Sequence, residues 1–213
     1  LYLGYIYSKA IHYNRQDHDN PIYMQDGLVT LHQPRFRCDS SFLKAYQKAL
    51  GMGLAVGANI EWRAHILCWA ASLAMQRSGD FAECGVCRGF LSRVVMEYVD
   101  FGKTRRKFYL LDTYEGLNVE DACSDVERER ARSSCDIFKG NLATVTKAFE
   151  DIPNVRIVPG QVPKTLTQVD SREFVFVHID LNLAVPEIAA AEFFWARLVP
   201  GGFIIMDDYG HRP

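Results

Sequence analysis

Hydrophobic and polar positions along the chain alternate between a helical period and short apolar runs. From Glu61 the period is helical, with Trp62, Ile66, Trp69, Ala70 and Leu73 on one stripe until Ser78, Gly79 and Asp80 break it. A short apolar run, Phe81 and Ala82, then meets the acid Glu83, and beyond Gly85 and Gly89 a second helical stripe carries Phe90, Val94, Tyr98 and Phe101. Phe108 to Leu111 predicts a second strand ending in Asp112, Asn141 to Glu150 a short helix, and Val155 to Val158 a third strand closing in Pro159, Gly160 and Gln161. Residues 174–179 are apolar as far as His178, as a central strand buried on both faces is, and end at Asp180. Pro186 is suited to a first helical turn, and the helix it opens carries Ile188, Ala191, Phe194 and Leu198 inward and stops before Pro200. Phe203 to Met206 is the fifth strand, ending in Asp207 and Asp208.

Strands alternating with helices predict an α/β fold with a parallel, doubly wound sheet and right-handed crossovers, in which ligands sit at the carboxyl ends of the strands. Glu83, Asp112, Asp180, Asp207 and Asp208 all fall at or next to such ends, so they are expected on one rim. The domain is expected over residues 59–213. Residues 1–58 read as an N-terminal extension, a cap or an oligomer contact, because Pro21, Pro34, Gly51, Gly53 and Gly57 interrupt any long period. Unclustered His12, His18 and His32 in this arm read as polar surface, and the charge-dense stretch 118–135 as a solvated helix or mobile loop.

The turn after the first strand, E-x-G-x-x-x-G over Glu83 to Gly89, is a cradle of nucleotide size. Glycine lets backbone approach a ligand closely, and the following helix offers free N–H groups. A dinucleotide turn has glycine where Glu83 stands, and a carboxylate there repels a pyrophosphate. It suits a ligand with an ammonium group, as in the methionine part of S-adenosylmethionine (SAM). Asp112, about 20 residues past the turn, is placed either to hold a ribose hydroxyl pair or to cap a helix. Asp180 and the pair Asp207 and Asp208 can meet if their strands are neighbours, about 4.8 Å apart. Three carboxylates in one crevice need a counter-charge, and oxygen ligands with open positions suit Mg²⁺; the bland alternative is that these acids cap helices or loops.

Composition narrows the partners. With 213 residues the chain suits one domain, and a formal charge of −2 gives no electrostatic reason to expect nucleic acid. The run Lys103, Arg105, Arg106 and Lys107 reads as a solvated loop. Six scattered cysteines include one C-x-x-C, Cys84 and Cys87, with no second ligand pair, so free thiols in a reducing cytoplasm are expected rather than a zinc or redox site. No apolar run has the length of a membrane span, and the N-terminal stretch has neither a basic n-region nor a cleavage-like site, which predicts a soluble cytoplasmic protein without a membrane partner.

Five ordered motifs, ECGVCRG, LLDTYEGL, VPGQVPKTL, HIDLNL and LVPGGFIIMDDYG, together resemble the SAM-dependent O-methyltransferases of the macrocin O-methyltransferase type, which methylate sugar hydroxyls on antibiotics. The resemblance covers residues 61–210. It implies a class I methyltransferase (Rossmann-like) fold and SAM at Glu83, Gly85, Gly89 and Asp112, with the neighbouring Val86, Thr113, Gly160 and Gln161 as further cofactor contacts. It also implies Mg²⁺ on Asp180, Asp207 and Asp208, and a sugar or glycan-like small molecule as methyl acceptor. Two departures stand out. Where the family has a second acid serving as general base, this chain has Asn182, which leaves His178, His211 or a metal-bound Asp180 to take the proton, or a protein without activity. The C-terminal edge strands of the fold are also missing, so the chain is a fragment or a partner subunit covers the edge. The rival readings are a non-catalytic scaffold on the same fold, consistent with Asn182, and a nicotinamide-dependent oxidoreductase, disfavoured by Glu83.

Overall fold

The computed structural model describes residues 21–55, 59–207 and 209. Its centre is a five-stranded, wholly parallel sheet in the order β5-β4-β3-β6-β7, built from β3 (Asp80–Cys84), β4 (Phe108–Asp112), β5 (Val155–Pro159), β6 (Phe174–Ile179) and β7 (Leu198–Met206). The chain reverses direction across the sheet at β3 and β6, the topological switch point at which α/β sheets open a crevice. Preceding the sheet are a two-stranded hairpin, β1 (Tyr23–Gln25) and β2 (Leu28–Thr30), and two helices, α1 (Ser40–Gly51) and α2 (Glu61–Ala74). The connections carry α3 (Phe90–Tyr98), α4 (Asp125–Phe138), α5 (Leu142–Ala148) and α6 (Ala184–Trp195). No helix among the described residues is long and apolar enough to cross a membrane.

Two apolar layers enclose the sheet. On one face Phe81, Phe108 and Phe176 meet Phe101 with ring centroids 5.0–6.3 Å apart, beneath α2 and α3. On the other, Ala82, Tyr109, Phe174 and Val177 pack on Ala190 and Phe194 of α6. Each fully buried phenylalanine contributes roughly 1.5–3 kcal/mol of transfer free energy. The N-terminal arm shares the first layer: Tyr23, Phe36, Phe42 and Tyr46 belong to the same buried cluster as Phe81 and Phe90.

Several elements differ from the sequence expectation. On α2 the buried residues are Ala64, Leu67, Cys68, Ala70, Ala71 and Ala74, while Trp69 is half exposed over Phe203 of β7. Small side chains face the core, and the large ring covers the edge strand. Helix α6 begins two residues before Pro186 and turns Ala190 and Phe194 inward, leaving Ile188 exposed. Leu198 is not helical: it starts β7, which runs through Pro200, Gly201 and Gly202 with a register shift against β6. Residues 118–135 hold a 3₁₀ turn at Val119–Asp121 and most of α4. Among the described residues β7 is an edge strand.

Candidate functional site

The β3–α3 turn is fixed by contact with the neighbouring strand end. Gly85 has φ +87°, and a Cβ there would lie 1.7 Å from the Asp180 carbonyl oxygen, so only glycine lets the two turns meet. Gly89 ends the turn at φ +84° as the N-cap of α3 and packs on the Phe149 ring. From across the sheet, Asp112 holds the turn's middle: its Oδ2 accepts from the N–H groups of Val86 (2.6 Å) and Cys87 (2.7 Å), and its Oδ1 from Tyr114 N–H (2.6 Å). Burial raises the Asp112 pKa, and the three N–H bonds oppose that rise. Burial likewise pushes the Cys87 thiol up to about 11, helped by Asp112, and both cysteines of the C-x-x-C are free. A raised thiol pKa is the reverse of what a reactive cysteine has.

A crevice opens over this turn, lined by Gly85, Asp112, Thr113, Gly160, Gln161, Asp180 and Asn182 among others, with a cavity of about 70 Å³. A larger recess of about 760 Å³ shares Thr113, Gly116, Leu117, Asn118, Gly160 and Gln161 with it and reaches Lys139 and Asn141. The structure thus brings seven of the sequence-predicted residues to one opening at the carboxyl ends of β3, β4, β5 and β6. Asp121, which the sequence reading passed over, also lines it, and both its oxygens accept from Gln161 Nε2 (2.6 and 2.5 Å).

Glu83, Val86, Gly89 and His178 do not line the crevice. Glu83 and Phe81 share one face of β3, so the Glu83 side chain enters the core, only 3% exposed. There one oxygen accepts from Ser92 Oγ and the other meets His178 Nδ1 at 2.7 Å, the two residues being register partners on β3 and β6. His178 Nε2 makes no hydrogen bond among the described residues and lies 3.8 Å from Asp207 Oδ1. Burial alone would lower the His178 pKa, but the carboxylates of Asp207 and Glu83 outweigh it and raise the imidazole to about 10. A buried imidazole that keeps its proton is a counter-charge and a poor general base.

Beside it lies the carboxylate rim. Donor atoms of His178, Asp180 and Asp207 come within 4.8 Å of one another, while Asp208 and His211 lie outside the described residues. Asn182 sits at φ +60°, a conformation asparagine tolerates better than most residues, and its Nδ2 donates to Asp180 Oδ1 (2.9 Å). Asp207 Oδ2 accepts from Arg63 Nη1 at 2.6 Å. Arg63 therefore supplies part of the counter-charge that the sequence reading assigned wholly to a metal. The carboxylates fit a hard divalent cation, since oxygen donors at adjacent strand ends are what Mg²⁺ or Mn²⁺ takes. The imidazole nitrogen would join them only after losing its proton.

A parallel sheet reversing at β3 and β6, with a glycine turn and acids at successive strand ends, defines the class I methyltransferase fold. Two solved structures share it: the O-methyltransferase NovP (TM-score 0.60, 20% identity, covering 68% of this chain and 64% of that one) and the calicheamicin methyltransferase CalS11 (TM-score 0.58, 15% identity, 90% and 84%). Residues 67–213 match the Macrocin-O-methyltransferase (TylF) family, and the chain belongs to that family. A relative from Streptomyces olivaceus, 8-demethyl-8-(2,3-dimethoxy-alpha-L-rhamnosyl)-tetracenomycin-C 4'-O-methyltransferase, is 32% identical over an alignment of 152 residues that covers 67% of this chain and 57% of that protein. The chain thus spans less than two thirds of that relative's length.

Proposed function

We propose that the protein transfers a methyl group from SAM to a hydroxyl of a sugar on a small molecule, with assistance from a divalent cation, Mg²⁺ by its oxygen donors. The observation that carries this reading is the convergence of Gly85, Asp112, Asp180 and Asn182 on one crevice in a member of a macrocin O-methyltransferase family. The streptomycete relative's name, a sugar 4'-O-methyltransferase, supports the acceptor class.

Bound SAM supplies an electrophilic methyl group on a sulfonium, and a cation on the rim would lower the acceptor hydroxyl's pKa. The chain's own residues position the partners, which in good cases is worth about 7–11 kcal/mol of barrier. Gly85 lets the β3 turn close on the Asp180 backbone, and Thr113, Gly160 and Gln161 wall the nucleoside side. Asp112 offers its remaining lone pairs to ribose hydroxyls while holding the turn. Asp180 is the carboxylate that both lines the crevice and faces the rim, so it is the group placed to accept the hydroxyl proton or to hold the cation. His178 is sequestered on Glu83, with its Nε2 turned towards Asp207. Asn182 is an orienting donor to Asp180, and this is the role the amide fills where the family has an acid.

Isothermal titration with S-adenosylhomocysteine tests the cofactor half. Asp112→Ala should weaken binding roughly tenfold or more, the loss of a charge-assisted hydrogen bond worth about 1.5–3 kcal/mol. Unchanged affinity in a folded variant would remove the ribose assignment, and no turnover by the wild type across a sugar-acceptor panel with Mg²⁺ would remove the enzymatic reading. Asn182→Asp places a third carboxylate beside Asp180 and Asp207 and takes away the amide donor. Its turnover should fall about tenfold, because Asp180 exchanges the donor that orients it for a repelling carboxylate. A variant faster than the wild type would instead mark Asn182 as a missing base.

A further inference from the structure

Arg63 is the third residue of α2, and nothing in its sequence neighbourhood sets it apart from a solvated helix position. In the structure it is clamped. Its backbone N–H donates to Asp26 Oδ2 (2.7 Å) and its Nε to Asp26 Oδ1 (2.8 Å), so one carboxylate fixes both the main chain and the guanidinium. Asp26 occupies the tip of the β1–β2 hairpin at φ +51°, followed by Gly27 at φ +74°, the paired left-handed residues of a type I′ turn. The Asp26 side chain is 2% exposed. From this anchor the far end of Arg63 reaches Asp207 Oδ2 at 2.6 Å, while His178 Nε2, 3.8 Å away and without a hydrogen bond, faces Asp207 Oδ1. The two oxygens of Asp207 are thus approached by different groups, the Arg63 guanidinium tethered by the hairpin and the His178 imidazole tethered by Glu83.

We propose that Arg63 is a tethered counter-cation of the rim, competing with a divalent metal ion for Asp207 and so setting how tightly the rim holds that ion. The inference rests on the reading that Asp180 and Asp207 bind such an ion. A cation taking the Asp207 oxygen that faces Arg63 has to displace the guanidinium or share that oxygen with it across a short distance between like charges. Asp26 determines the outcome, because it gives Arg63 a second carboxylate when Asp207 is engaged elsewhere. The N-terminal hairpin is thereby coupled to the chemistry of strand ends far from it in sequence. Arg63 is a positioning residue, acting through Asp207.

The probe is Mn²⁺, whose free form is counted by electron paramagnetic resonance without any turnover. Arg63→Met should bind Mn²⁺ about tenfold tighter than the wild type, the size of effect a removed neighbouring charge has on an ionic equilibrium. Asp26→Asn, which leaves the guanidinium to Asp207, should bind it about threefold more weakly. If Asp180→Asn abolishes binding while Arg63→Met equals the wild type, the role of Arg63 is overturned and the metal reading stands. If wild type and Asp180→Asn bind Mn²⁺ alike, the metal reading itself fails and takes the proposal with it. Should Arg63→Met not fold by circular dichroism, Arg63→Lys serves instead: a single ammonium cannot bridge both carboxylates as a guanidinium does, so it should show tightening in the same direction, and its absence overturns the proposal.

Discussion

Asp180→Asn is expected to lower methyl transfer by about 10² to 10⁴ while leaving S-adenosylhomocysteine affinity within about threefold of the wild type. The substitution keeps shape: the new amide oxygen still accepts from Asn182 Nδ2, and the backbone N–H of residue 180 still donates to the Cys84 carbonyl (2.8 Å), so the turn against Gly85 is undisturbed. What disappears is the negative charge shared by the crevice and the rim. Whether that charge takes the acceptor's proton or holds a cation that acidifies it, the reaction loses its means of making an alkoxide-like nucleophile. The two routes part in a second measurement. If Asp180 is only the base, Mn²⁺ binding is unchanged by the substitution and the metal reading fails; if it is a metal ligand, both fall together. Turnover within threefold of the wild type would exclude Asp180 from the chemistry and shift attention to His211.

Such an arrangement was readable from the sequence wherever strand parity and strand ends carry the information. Glycines at Gly85 and Gly89 and acids at successive strand termini predicted one rim, because a parallel sheet leaves its carboxyl ends on one side. The inward turn of Glu83 was legible too in principle. It lies two residues from Phe81 and therefore on Phe81's face of β3, whereas Ala82 and Cys84 belong to the opposite layer. The ammonium-binding expectation weighed the residue's type above that parity. Asp26 and Arg63 were hidden for a different reason. Each looks like surface by itself, and only the hairpin's packing across α2 brings a residue 37 positions away into the same ion-pair chain. The Asp-Gly pair in the sequence signals a tight turn, but strands of three residues are too short for an alternating pattern to announce them. Trp69 misled because a large ring suggests the core, whereas α2 lies close to its neighbours through alanines and the ring shields an edge strand.

Gly85→Ala should be the most damaging single substitution for the fold of the site. At φ +87° an alanine costs about 1–2 kcal/mol in backbone strain. Its Cβ would also stand 1.7 Å from the Asp180 oxygen and 2.5 Å from the Asp180 carbonyl carbon, backbone atoms that cannot swing aside like a side chain. Forcing β3 and β6 apart there adds about 1–3 kcal/mol of overpacking, for a total of roughly 2–5 kcal/mol. At about 2–4 °C per kcal/mol for a domain of this size, the unfolding midpoint should drop by about 4–20 °C. The displaced strand end carries Asp180, so S-adenosylhomocysteine binding and turnover should fall with it. Gly51→Ala is the control: Gly51 closes α1 with no atom within 4 Å of the added Cβ and without a positive φ, so it should be neutral or gain up to about 1 kcal/mol in helix propensity. A Gly85→Ala protein that melts within 1 °C of the wild type and binds S-adenosylhomocysteine equally well would show that the close approach of the two turns is not what shapes the crevice.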